Sequence, residues 1–166
     1  MVEKGYCMYH MRVRPTALIL KDEHVLLIEY RDEHGVHYNL PGGGAEPGET
    51  LEEGAAREVW EETRAEVEVG PVALLYECAP HRQSGEYDSP THTLSVIFEC
   101  RLKEGSRPRM PDVPDRTQSA VRWVHLNELD SIVMFPRIQR FIKQFARRRT
   151  TVPMINDYEL QRYSDG

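Results

Sequence analysis

Three glutamates, Glu58, Glu61 and Glu62, stand at spacings i, i+3 and i+4. On a helix, at about 100° per residue, their carboxylates share an arc of about 100°. Like charges crowded on one face repel. Open water tolerates that; a partly buried face does not unless cations neutralise it. Carboxylate oxygens are hard ligands, suited to Mg²⁺ or Mn²⁺. Just ahead lies PGGGAEPGE, Pro41 to Glu49, with four Gly and two Pro in nine residues. Such a run is irregular backbone that bends sharply and lies close to a ligand or metal. Arg57 can pair with Glu53 or Glu61 at i±4, or with Glu49, and so orient a carboxylate. Gly54 falls one turn before Glu58 on the same side. It either gives a substrate access to the backbone or is simply tolerated there.

These residues need elements to hold them. Thr50 to Thr63 reads as a helix: Thr50 and Glu53 form a capping-box pattern, and Leu51, Ala55 and Val59 make an apolar stripe. RPTALIL (Arg14–Leu20) and HVLLIEY (His24–Tyr30) read as buried strands around a turn at 21–23, with a short strand at His37–Leu40. Val67–Cys78, His92–Leu102 and Ala120–His125 are further strands. HRQSGEYDSP and Glu104–Ser119 are polar loops. Leu126–Leu129 reads as a short helix. Arg137–Arg148 is an amphipathic helix carrying Ile138, Phe141, Ile142 and Phe145, and the tail from Arg149 is expected to be polar and loosely ordered. Strands and helices mix without strict βαβ alternation, which favours a mixed α/β sandwich over a doubly wound parallel sheet.

Length and composition bound the answer. The 166 residues suit one domain, and 40% hydrophobic with 29% charged residues is ordinary globular composition. The net charge of −6 is local. Residues 46–66 hold eight Glu and two Arg, and the other 145 residues hold 19 acids and 19 bases. An isolated acidic segment is either a solvated helix face or a divalent-cation site. No basic face marks the chain for DNA. No apolar run approaches the roughly 20 residues of a membrane helix. Residues 1–10 carry no apolar signal core, and Cys7, Cys78 and Cys100 show no CxxC spacing, so reduced thiols in a cytoplasmic protein are expected.

Taken together, Gly43, Glu49 and Arg57-Glu58-Val59-Trp60-Glu61-Glu62 resemble the Nudix box, G-x5-E-x7-R-E-U-x-E-E-x-G-U, where U is aliphatic. Five residues separate Gly43 from Glu49 and seven separate Glu49 from Arg57. The match runs Gly43–Ala65 and departs at the late glycine, where Arg64 stands. That glycine would be a left-handed helix C-cap, so the departure bears on the helix exit and removes no carboxylate. The wider resemblance covers residues 13–148, between an N-terminal segment (1–12) and a C-terminal tail (149–166). It implies the Nudix-type α/β/α sandwich with a mixed β-sheet.

The resemblance also implies a hydrolase acting on acid anhydrides. Such an enzyme uses Mg²⁺ or Mn²⁺ to cleave a nucleoside diphosphate linked to another moiety, X, and releases a nucleoside monophosphate. By position, Glu58, Glu61 and Glu62 would be metal carboxylates, with a Gly42 or Gly43 carbonyl, and Glu49 would support or ligate. Arg57 would orient a carboxylate. The general base would be Glu58, with Asp115 second. Gln118, near where some relatives carry Glu, is a neutral amide that cannot act as a base. Tyr30, Arg31, His37 and Tyr38 are candidates for base stacking or phosphate contact, and Pro80 and Arg82 for the X group. A proline at that offset is associated with ADP-ribose-cleaving members. The partner expected is a small nucleotide, ADP-ribose or another derivative, and the apolar face of Arg137–Arg148 would allow a homodimer. The alternative is a Nudix domain that senses nucleotides without hydrolysing them; an isomerase on the same fold would need a Cys–Glu pair.

Overall fold

The structure, a computed structural model, describes residues 10–86, 88–151 and 155–163, so Cys7 lies outside the described residues. The first two strands, β1 (Arg12–Lys21) and β2 (His24–Asp32), join through Asp22 and Glu23. Both turn residues have positive φ, 49° and 60°, as a two-residue hairpin with right-handed strand twist requires. β3 (Gly35–Asn39), helix α1 (Leu51–Thr63), β4 (Val67–Cys78), β5 (Thr93–Leu102) and β6 (Gln118–His125) follow. A 3-10 turn at Leu126–Ser131, helix α2 (Gln139–Arg148), β7 (Ile155–Asn156) and a 3-10 turn at Asp157–Glu159 complete the order.

Seven strands make one mixed sheet in the order β3-β2-β1-β5-β4-β7, with β6 on β2. β1 runs parallel to β5 and antiparallel to β2. Its alternation sorts two cores. Leu18, with Val25, Leu27 and Ile97, faces α2 and its Ile142 and Phe145. Ala17 and Ile19, with Leu26, Val96 and Phe98, face α1 and its Ala55 and Val59. Strands buried on both faces read as unbroken apolar runs, which is why RPTALIL and HVLLIEY look alike in sequence. Each fully buried Leu or Ile contributes roughly 1.5–3 kcal/mol. The result is the expected α/β/α sandwich. No helix among the described residues is long and apolar enough to cross a membrane.

One irregularity in the sheet prepares the site. The β1–β2 register covers only Leu20↔Val25 and Lys21↔His24, beside the turn. Farther along, the glycine loop pairs with β1 instead. Ala17 N–H donates to Pro41 O at 2.8 Å, Gly43 N–H to Pro15 O at 3.3 Å, and Ala45 N–H to Val13 O at 3.0 Å. The irregular segment is thus tied to β1 by strand-like hydrogen bonds while keeping its bend.

The tail departs from expectation. Ile155 and Leu160 are buried, and β7 pairs with β4. Buried Asp157 accepts from Tyr76 Oη at 2.8 Å and Ser84 N at 2.7 Å. Residues 155–163 are therefore part of the packed structure: two apolar anchors and one buried carboxylate outweigh the polar average of the segment.

Candidate active site

Helix α1 is fixed at both ends. Glu53 N donates to Thr50 Oγ1 at 3.2 Å and Thr50 N to Glu53 Oε2 at 2.7 Å, the capping box read from sequence. At the exit Arg64 takes φ 54°, ψ 18°, and its N–H donates to Trp60 O. The left-handed cap that suits glycine is therefore formed by arginine, and the helix end keeps its shape. Gly54 settles differently from either expectation. A Cβ there would lie 2.7 Å from Pro15 Cγ and 2.8 Å from Glu49 Oε1. The glycine lets α1 pack close against β1, and it does not line the cleft beside Glu58.

Between α1 and the glycine loop opens a cleft of about 470 Å³, lined by Glu58, Glu61, Glu62, Gly42–Gly44, Tyr30 and Asp115 together with the arginines Arg12, Arg14 and Arg64. Gly43 abuts Glu58 so closely that a Cβ would sit 2.3 Å from Glu58 Oε1. Glu62 is buried; its Oε1 accepts from Tyr30 Oη at 2.8 Å and its Oε2 from Gly42 N at 3.0 Å. Burial nonetheless pushes its pKa up to about 7. Burial likewise raises Glu58, against the pull of Arg57. Two desolvated carboxylates with raised proton affinity mark a site short of positive charge.

Arg57 organises the cluster. Its Nε and Nη2 grip Glu49 at 2.9 and 2.8 Å, Nη1 reaches Glu58 Oε1 at 2.8 Å and Glu61 Oε2 at 3.2 Å, and Nη2 also reaches Gly44 O at 3.1 Å. The guanidinium holds the Glu49 pKa down at about 2. Glu49 is thus a brace on Arg57. The glycine carbonyls divide similarly. Gly42 O accepts from Arg14 Nη2 at 2.8 Å and Gly44 O from Arg57, whereas Gly43 O accepts no hydrogen bond among the described residues. Among those residues, no three His, Cys, Asp or Glu side chains converge tightly enough to hold an ion unaided. Arg57 draws Glu58 and Glu61 to itself while Tyr30 and Gly42 hold Glu62. The donor set, hard carboxylate oxygens beside a peptide carbonyl, fits a divalent cation that would replace the Arg57 contacts.

Other residues singled out from sequence lie elsewhere. Of Tyr30, Arg31, His37, Tyr38, Pro80 and Arg82, only Tyr30 lines the cleft. His37 stacks behind it, ring centroids 5.6 Å apart. Arg31 and Tyr38 turn to the opposite sheet face, where Tyr38 Oη donates to Glu29 Oε2 at 2.9 Å and Arg31 lies 3.9 Å from Glu29. Arg82 lies 3.6 Å over the Tyr158 ring, and neither it nor Pro80 reaches a cavity wall at the site. Asp115 is at the cleft. Gln118 donates to Glu62 O at 2.8 Å and ties β6 to the helix end.

Sequence reasoning missed Arg12, Arg14 and Asn39. The two arginines border both the cleft and a second cavity of about 300 Å³ walled by Tyr76, Phe135, Met134 and the hydroxyls of Thr93 and Ser95. Arg14 is wedged between Arg12 and the carboxylates, and burial lowers its pKa. Asn39 also lines that cavity, and its buried Oδ1 has no donor among the described residues. The RxR spacing on a strand was the available signal, since alternation aims both side chains one way.

Comparison with known proteins agrees with this geometry. Residues 10–147 match the NUDIX domain. The chain is 39% identical over 126 residues to a MutT-like protein of Streptomyces ambofaciens, covering 66% of this chain and 81% of that one. It is 35% identical over 98 residues to an ADP-ribose pyrophosphatase of Methanocaldococcus jannaschii, covering 57% of this chain and about half, 54%, of that one. In fold it resembles a NUDIX hydrolase from Nitrosomonas europaea, with TM-score 0.67 and 21% identity over 95% of this chain and 100% of that one.

Proposed function

The chain belongs to the Nudix family of pyrophosphohydrolases, and from that premise we propose that it cleaves the diphosphate bridge of a nucleoside diphosphate linked to a group X, releasing a nucleoside monophosphate. One observation carries this reading: two desolvated carboxylates, Glu58 and Glu62, lie against glycine backbone in a cleft that arginines also line. Such a site repels a diphosphate until cations enter, and then holds it.

Glu58, Glu61 and Glu62, with the Gly43 carbonyl, would hold Mg²⁺ or Mn²⁺, which supplies Lewis-acid polarisation of phosphoryl oxygens and an acidified water. Arg57, braced by Glu49, orients Glu58 and Glu61. Arg12 and Arg14 meet the charge that develops on the phosphoryl oxygens. Glu58 takes the proton of the attacking water, desolvation raising its affinity for that proton, and Asp115 is the second candidate. The second cavity takes the nucleoside. Its aromatic walls suit stacking, and a base N–H would satisfy Asn39 Oδ1. ADP-ribose, whose X group is a neutral sugar, belongs in the substrate panel on likeness to the archaeal enzyme.

The test is a panel of nucleoside diphosphate derivatives incubated with Mg²⁺ or Mn²⁺ in oxygen-labelled water. The expected products are a nucleoside monophosphate and X-phosphate, with label on one phosphorus. Tight nucleotide binding without products would sink the reading.

A further inference from the structure

Arg64 stands where the box expects glycine, in the left-handed conformation that glycine adopts without strain. The second helix also exits through a left-handed arginine, and the contrast between the two is informative. Arg149 pairs with Glu99. Arg64 makes no ion pair among the described residues, although it borders a cleft holding Glu58, Glu61, Glu62 and Asp115. Its guanidinium lies 5.5 Å from the Trp60 ring centroid. Stacking on an exposed ring steadies a cation without neutralising it.

Position within the cleft adds direction. Arg12 and Arg14 border both cavities, whereas Arg64, Val113 and Asp115 border only the carboxylate cleft. With the nucleoside in the second cavity and the diphosphate over the carboxylates, Arg64 faces the X side. Resting on the pyrophosphohydrolase reading above, we propose that Arg64 is a specificity-determining residue that selects substrates whose X group carries a phosphate. A guanidinium binds phosphate oxygens through two parallel N–H bonds, a match that a neutral sugar does not offer. Glycine would relieve the backbone strain but remove the one arginine of the cleft lining, among the described residues, that does not also border the second cavity.

The test compares two substrates sharing one nucleoside: its triphosphate and its diphosphate joined to a neutral sugar. Arg64→Gly, Arg64→Asn and Arg64→Lys are measured beside the parent. For Gly and Asn, kcat/KM on the triphosphate falls at least about tenfold more than on the sugar compound. Lys largely restores the ratio. Arg64→Gly also melts about 2–4 °C higher, because the strain is gone. Binding of a methylene-bridged triphosphate analogue, followed by calorimetry in Mg²⁺, weakens in Gly and Asn and is kept in Lys. Equal losses on both substrates, or no loss with either, overturn the proposal. The nucleoside shared by the two compounds is the one the panel above shows to be cleaved; if no member of that panel is cleaved, the pyrophosphohydrolase reading fails, and the calorimetry alone decides whether Arg64 selects phosphate.

Discussion

The Tyr30 hydroxyl donates to Glu62 Oε1 at 2.8 Å, joining β2 to the last turn of α1 across the floor of the cleft. This bond and the one from Gly42 N stabilise the Glu62 carboxylate, yet burial outweighs both and leaves its pKa at about 7. The balance has measurable consequences.

Glu62 holds its proton more tightly folded than unfolded. Its contribution to stability is therefore fully present below about pH 4.5 and is lost as pH rises through about 7. Above that, the buried charge costs roughly 3 kcal/mol in the metal-free protein. Glu58 shifts in the same direction, while Glu49, held at about 2, loses its contribution only in acid. Melting of the chelated protein should drop between about pH 5 and pH 7.5, and Mn²⁺ should recover more at the upper end than at the lower. Tyr30→Phe should move the drop to higher pH. A flat profile in chelator would show that the carboxylate is not desolvated.

Substituting Glu61→Gln or Glu62→Gln should reduce turnover by about 10²–10³-fold, since the amide cannot balance a divalent cation. The fold should survive. In Glu62→Gln the amide oxygen can accept from Gly42 N and the amide nitrogen can donate to Tyr30. Metal-free stability at about pH 8 should equal or exceed the parent's. Full turnover in both variants would remove these residues from the metal site.

Gly54→Ala pits propensity against packing. Alanine gains about 1 kcal/mol within a helix. Here its Cβ would meet Pro15 Cγ at 2.7 Å and Glu49 Oε1 at 2.8 Å. We expect a net loss of about 1–3 kcal/mol in denaturant titration, with reduced activity as Glu49 shifts its hold on Arg57. A more stable variant would mean that β1 and Glu49 yield freely.

The C-terminal segment should matter for both stability and binding. Asp157→Ala removes the acceptor for Tyr76 Oη and Ser84 N. A cost of about 1–3 kcal/mol is expected from the buried groups involved. Ser89, on the loop that Ser84 anchors, borders the second cavity, so KM should rise more than kcat falls. Unchanged stability and KM would show that the segment merely rests on the surface.

The carboxylate cluster, its capped helix and the glycine loop were legible because they are local: i, i+3, i+4 spacing on a helix fixes a shared face wherever the helix packs. So was the sandwich, through buried strands and an amphipathic helix pattern. Which face of β2 meets the cleft was not legible. Both faces of the strand are buried along its centre, so alternation alone could not tell Tyr30, which reaches Glu62, from Arg31, which turns away. The order of the tail was hidden because Ile155, Asp157 and Leu160 find partners on β4 and the loop after it. Arg12, Arg14 and Asn39 join the site only where β1 leaves β2 and accepts the glycine loop, a pairing between segments about 30 residues apart that no local pattern encodes. The sequence by itself determined which carboxylates share one helical face, because helical spacing is set by covalent geometry. Tertiary packing decided which charges surround that face and which cavity lies beside it.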